Sequence, residues 1–207
     1  MVIQELKSSK RVEGRWLAVL EDGSILRIGE GEVIDFALYA GKELTEEEAQ
    51  SLQDCARRSA LREKTLELLT RKPQSRRELE GKLKEWEASE TEAAALCDRM
   101  EELGYLNDAA YAATVVRHYS GKGFGEKKLR DELYRRGVPR DLWDGALEQS
   151  ADPTDAIDAF VAKKLAGKSP DRKELEKVSA ALARRGFSWG DIRDALNRYG
   201  AETDDFD

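Results

Sequence analysis

The chain has 207 residues, a formal net charge of −7, 37% charged residues and 40% apolar residues. That length suits one elongated domain or a few small units, and so high a charge content means much exposed surface per core, as in slender or repeat architectures. No stretch approaches the roughly 18 uninterrupted apolar residues of a membrane-spanning helix, and Met1-Val2-Ile3-Gln4-Glu5 lacks the basic and apolar blocks of a secretory signal. Cys55 and Cys97 are the only cysteines and His118 the only histidine. They are too few for a disulfide framework, a zinc site or a His-based relay, so two reduced, packed thiols in a cytoplasmic protein without metal or cofactor are expected.

Charge is unevenly spread. Residues 1–57 carry 7 basic and 12 acidic side chains, whereas residues 152–200 carry 10 basic and 8 acidic ones. The tail 201–207 has four acidic residues and no basic one. A dedicated duplex-DNA binder would be strongly basic; this distribution permits contact with a mixed protein and DNA surface.

In chain order, Arg15–Leu20 and Ser24–Ile28 flank Glu21-Asp22-Gly23, a hairpin signal. Val33–Leu38 reads as a third strand or a short helix, and residues 1–44 form a β-hairpin region. Thr45 with Glu48 opens a linking helix over 45–58, either separate or running into the next helix. Ser75 with Glu78 and Ser89 with Glu92 repeat that capping box, while Asp152-Pro153 and Ser169-Pro170 place a cap before a first-turn proline. Asp108 reads as a further cap, and Gly104, Gly121, Gly137, Gly167, Gly186 and Gly200 fall where helices should end.

Between these punctuation marks the apolar residues recur at helical spacing, as in Leu79-Leu83-Trp86, Leu129-Leu133 and Leu175-Val178-Leu182. The pattern predicts nine helices of about 10 to 15 residues after the linking one. Arg135-Arg136-Gly137 through Ala146-Leu147 matches Arg184-Arg185-Gly186 through Ala195-Leu196 at an offset of 49, and Leu79 and Leu83 match Leu129 and Leu133 at an offset of 50. A period near 50 predicts three tandem three-helix repeats, over 59–106, 107–150 and 153–200, stacked into an elongated, curved, mainly all-α body.

No catalytic constellation is present: no nucleophile–base pair can be named and no phosphate-binding G-x-x-x-x-G-K-[ST] loop occurs. Gly121-Lys122-Gly123-Phe124-Gly125 reads as a turn between two helices, with phosphate binding at the next helix N-terminus as the alternative. The basic residues carry more information. Arg76, Arg77, Lys82 and Lys84 lie on the second helix of the first repeat. Lys122, Lys127, Lys128, Arg130, Arg135 and Arg136 lie on or beside that of the second, and Lys168, Arg172, Lys173, Lys177, Arg184 and Arg185 on or beside that of the third. Aligned in a stack they would attract phosphates or acidic protein surface. The plainer reading is solvated helix surface with i,i+4 pairs such as Glu78–Lys82.

The stretch from Ser75 to Val138 resembles the RecX family of regulatory proteins. The carrying residues are Ser75, Glu78-Leu79, Lys82-Leu83, Leu103-Gly104-Tyr105-Leu106-Asn107-Asp108, Tyr111-Ala112, Gly123-Phe124-Gly125, Leu129, Glu132-Leu133 and Arg136-Gly137-Val138. In physical terms, Gly104 ends a helix, Tyr105 and Leu106 pack the repeat junction and Asp108 caps the next helix. Where the family often has a basic residue and a glycine, this chain has Glu85-Trp86-Glu87. The resemblance implies a non-enzymatic protein of DNA repair, homologous recombination and the SOS response. Such a protein binds the RecA filament on single-stranded DNA in its helical groove and suppresses ATPase, strand-exchange and coprotease activities. It implies a cytoplasmic monomer that makes at most weak direct contact with DNA and none with membrane. A stand-alone nucleic-acid binder predicts tight, steeply salt-dependent DNA binding without RecA. A helical adaptor for another partner predicts no effect on RecA at all.

Overall fold

The computed structural model describes residues 1–166 and 171–199. Gly167, Lys168, the Ser169-Pro170 cap, Gly200 and the acidic tail 201–207 lie outside the described residues. The chain divides into two compact units. One holds Met1–Lys72 with Leu83–Leu96, the other Pro73–Lys82 with the chain from Cys97 onward.

The first unit begins with an antiparallel three-stranded sheet in the order β1 (Ile3–Ser8), β2 (Arg15–Leu20), β3 (Ile25–Gly29). The β2–β3 hairpin falls where Asp22-Gly23 predicts it: the Asp22 carboxylate accepts from the Ser24 amide at 2.9 Å, and Gly23 takes φ +80°. Strand β1 was not expected. Its register slips between Ile3 and Glu5, so its inward residues do not alternate cleanly and the period-2 signal is lost. Of the two readings of Val33–Leu38, the helix prevails: α1 spans Glu30–Asp35.

Helix α2 runs unbroken over Glu46–Arg71, so the linking helix continues into the next one. Its capping box forms in both directions, with Glu48 N donating to Thr45 Oγ1 at 3.2 Å and Thr45 N to Glu48 Oε2 at 2.9 Å. Ala49, Leu52 and Ala56 of α2 share a core with Ile3, Ala18, Leu20 and Ile28 from one face of the sheet. The other face carries the cross-strand row Lys7–Leu17–Arg27.

After α3 (Arg76–Glu85) and α4 (Glu90–Glu102), α5 (Asp108–Ser120), α6 (Glu126–Arg135) and α7 (Trp143–Leu147) enclose a core of Val116, Leu129, Leu133, Val138, Trp143 and Ala146. Helices α8 (Pro153–Leu165), α9 (Arg172–Arg184) and α10 (Trp189–Arg198) enclose another, of Ile157, Val161, Leu182, Ile192 and Leu196. The mainly helical class with a small N-terminal sheet is thus as expected.

The third helix of the second triplet departs from expectation. It is a 3-10 turn over Arg140–Leu142 followed by the five residues of α7. Pro139 starts the turn, Gly145 weakens helix continuation, and Trp143 is held from below by its indole N–H donating to the Val138 carbonyl at 3.0 Å.

Candidate interface on the second helices

The second helix of each triplet ends alike. Ala88 N donates to Leu83 O at 3.0 Å, Val138 N to Leu133 O at 3.1 Å and Phe187 N to Leu182 O at 3.3 Å. Each bond closes around a left-handed residue: Glu87 at φ +63°, Gly137 at +69°, Gly186 at +89°. Two of these ends seat the preceding triplet. Ser75 Oγ donates to the Arg136 carbonyl, and a Cβ on Gly137 would run into the Arg77 side chain. In the matching place Gly125 N donates to the Arg185 carbonyl at 3.0 Å and Lys127 N to that of Gly186 at 3.1 Å, so a Cβ on Gly186 would strike the Lys128 amide. Gly125 is buried against the same turn. The Arg-Arg-Gly motif is therefore a stacking joint.

This joint occupies several of the basic residues singled out from the sequence. Glu132 is buried, only 3% exposed, and draws Lys128 (3.1 Å), Arg135 and Arg136 (3.6 Å). Burial pushes its carboxyl up, but hydrogen bonds from Lys128 and Tyr119 and the charge of Arg135 outweigh that and hold it below the usual range. Arg136 also lies over the Tyr119 ring. Arg185 donates to the Gly123 carbonyl at 3.1 Å and lies over Phe124 and Phe160. Arg76 is divided among Asp98 (2.7 Å), Glu101 (2.9 Å) and Glu80 (3.0 Å). Arg130 is held by Glu126 (2.7 Å) and Asp144 (3.1 Å). Lys82 is half-buried.

The remaining candidates are exposed, although the stem of Arg77 lies against Gly137. Arg77, Lys122, Lys127, Lys173 and Arg184 are exposed and meet no carboxylate among the described residues; Lys122 stands 5.8 Å from the centre of the Tyr119 ring. Lys127 shares the outer face of α6 with Tyr134, seven residues on, whose side chain is 64% exposed. Tyr134 was not expected as a contact residue. Its signal was an aromatic ring lying off the Leu129–Leu133 stripe, the kind of side chain that anchors interfaces.

The Gly104–Asp108 run also divides. Gly104 takes φ +75° and ends α4, and Leu106 is buried, but Tyr105 is 49% exposed and does not pack the junction. Nor does Asp108 cap its own helix. Asn107 does so, accepting from Ala110 N at 2.9 Å, while the Asp108 carboxylate accepts from the Arg76 amide at 2.8 Å and so caps α3. A carboxylate one residue past a side-chain cap is free to serve another helix end. Burial pushes the Asp108 carboxyl above its usual range. Tyr111 completes the joint, its hydroxyl donating to Glu78 at 2.8 Å; burial and that bond hold its proton tightly.

Of the two cysteines, Cys97 is buried. Burial, with Glu80 nearby, pushes the Cys97 thiol up to about 11, so it stays protonated at neutral pH. No group of three or more potential metal ligands occurs among the described residues.

Comparison with known proteins adds to this geometry. Family models described as the first, second and third three-helix domains of RecX match residues 62–100, 107–147 and 152–196. Regulatory protein RecX of Streptomyces lividans is 36% identical over 148 residues, covering 67% of this chain and 79% of its own length. That of Pseudomonas putida (strain GB-1) is 32% identical over 149 residues, covering 71% and 94%. A crystal structure of regulatory protein RecX shares the fold, with a TM-score of 0.73 at 23% identity, over 95% of this chain and 98% of that one.

Proposed function

The chain belongs to the RecX family of regulatory proteins, and from that premise we propose that it binds the RecA filament on single-stranded DNA and restrains it. It acts as a cytoplasmic monomer and a binding protein, not an enzyme, lying in the helical groove of the filament and lowering ATPase, strand-exchange and coprotease activities. Exposed cations on the second helices meet acidic RecA surface or DNA phosphates and obstruct the incoming duplex or the closing of protomers.

The observation that best supports this reading is the outer face of α6, where Lys127 and Tyr134 stand exposed while Lys128, Arg130 and Arg135 of the same helix are paired. An exposed tyrosine is the kind of side chain that anchors protein interfaces, and an unpaired lysine beside it attracts an acidic partner. Lys128 and Arg130, attractive from sequence alone, serve ion pairs within the chain.

The test is the steady-state ATPase of the cognate RecA on single-stranded DNA, with this protein titrated in at fixed salt. A fall in rate at substoichiometric amounts is expected, and the double variant Lys127→Glu, Tyr134→Ala should need about tenfold more protein for the same effect. No change in rate, with no binding to filaments, would remove the RecA reading. Full inhibition by the folded double variant would remove α6 as the contact.

A further inference from the structure

The N-terminal unit, the more acidic part of the chain by sequence, hides a sorted charge pattern. An open groove of about 830 Å³ runs beside the sheet and the middle of α2, and Lys7, Lys10, Arg11, Arg15, Arg27 and Lys64 line it. Of the 7 basic residues among residues 1–57, five line this groove; of the 12 acidic ones, none does. The two carboxylates in its wall, Glu63 and Glu67, come from α2 and are engaged, Glu63 by Arg15 and Glu67 by Arg71 at 2.6 Å. Lys7 pairs with Glu5 at 2.8 Å and Lys64 lies 4.0 Å from the centre of the Trp86 ring. Lys10, Arg11 and Arg27 are exposed and meet no carboxylate among the described residues.

Strand geometry explains the sorting. Along β2 and β3 the side chains alternate, so Ala18, Leu26 and Ile28 turn to the core while Leu17, Ile25 and Arg27 turn to the groove. Lys7 and Arg27 flank Leu17 in one cross-strand row, two strand spacings or roughly 10 Å apart. The floor between the cations is aliphatic, from Val12, Leu17 and Ile25, with Ile25 54% exposed.

We propose that this groove binds the sugar–phosphate backbone of a nucleic-acid strand without regard to base sequence. Unpaired cations in a shallow, open channel suit a ligand whose charge repeats along its length. No aromatic ring lines the groove, so no base-stacking platform accompanies the backbone contact, and an acidic peptide would find no enclosed socket for an anchoring side chain. None of the groove's lining residues belongs to a second helix, and the proposal does not depend on RecA.

The test uses the full-length protein without RecA and a fluorescein-labelled single-stranded oligodeoxythymidine, with binding read by fluorescence anisotropy over a salt series. The triple variant Lys10→Glu, Arg11→Glu, Arg27→Glu should weaken binding about tenfold or more at low salt. The dependence of log affinity on log salt should become shallower by about two, the share of three phosphate contacts on a single strand. Charge-conserving Lys10→Arg, Arg11→Lys, Arg27→Lys should bind as the parent does. All three positions are exposed, and circular dichroism reports whether each variant folds. Unchanged affinity and salt slope in a folded triple-reversal variant would overturn the proposal and leave these cations as guards of the sheet edge. So would a parent protein that binds polyglutamate through these residues but not the oligonucleotide, which would assign the groove to an acidic protein segment.

Discussion

The ends of the second helices in the first and third triplets invite comparison. Both close on a left-handed residue with the same bond, Ala88 to Leu83 in one and Phe187 to Leu182 in the other. At Gly186 the backbone of the preceding triplet lies against the turn, so the residue needs both a positive φ and no side chain. Glu87, in the equivalent place, keeps the positive φ but is exposed. The left-handed turn belongs to helix termination, whereas glycine itself belongs to stacking. The Trp86-Glu87 pair, a departure from the family pattern, therefore marks a helix end with no preceding triplet to receive.

That distinction can be broken in order of size. Gly186→Ala adds the cost of an L side chain in the left-handed region to a collision with the Lys128 amide, and should destabilise the protein by about 3 kcal/mol in urea unfolding. Gly137→Ala should cost somewhat less, about 2 kcal/mol, because it meets the Arg77 stem, whose Cγ and Cδ can turn aside although its Cβ is fixed to α3, whereas Gly186 meets main chain. A loss at Gly186 no larger than at Gly137 would refute the backbone-contact account.

Glu132→Gln tests the joint from its charged side and should cost about 1 to 2 kcal/mol at neutral pH, discounted because two of its three cationic partners are only partly buried and the third is exposed. Because the Glu132 carboxyl lies below its usual range when folded, its contribution is fully present above the ordinary carboxylate pKa. That contribution is lost as pH falls through the depressed value, so the variant should show a flatter acid limb below about pH 4. Smallest of all, Glu87→Gly should raise stability by about 1 kcal/mol, by relieving a left-handed residue that stacks against nothing. A thermal melt that moves down would show that the Glu87 side chain contributes something the turn geometry does not reveal.

Much of the fold was legible because its signals are local. The boxes at Thr45, Ser75 and Ser89 form as their S/T-x-x-E spacing requires, since a capping box needs only four neighbouring residues. Strand β1 was hidden by its irregular register, and the short α7 by the assumption that the third triplet's helix length applies to the second. Of the basic residues, the sequence identifies which lie on second helices but not which remain available. Lys127 and Lys128 are neighbours, yet one faces solvent and the other reaches a buried carboxylate, because successive helical residues point about 100° apart.

The sequence by itself determined the helical class, the hairpin, the capping boxes at Thr45, Ser75 and Ser89 and the near-50-residue period, because each depends on residues close along the chain. Tertiary structure decided which charges are spent. Asp108 caps a helix 32 residues away, Glu132 gathers three cations, and the groove collects its basic residues from three strands, a loop and α2. Such pairings depend on distances across packed elements, which spacing along the chain does not encode.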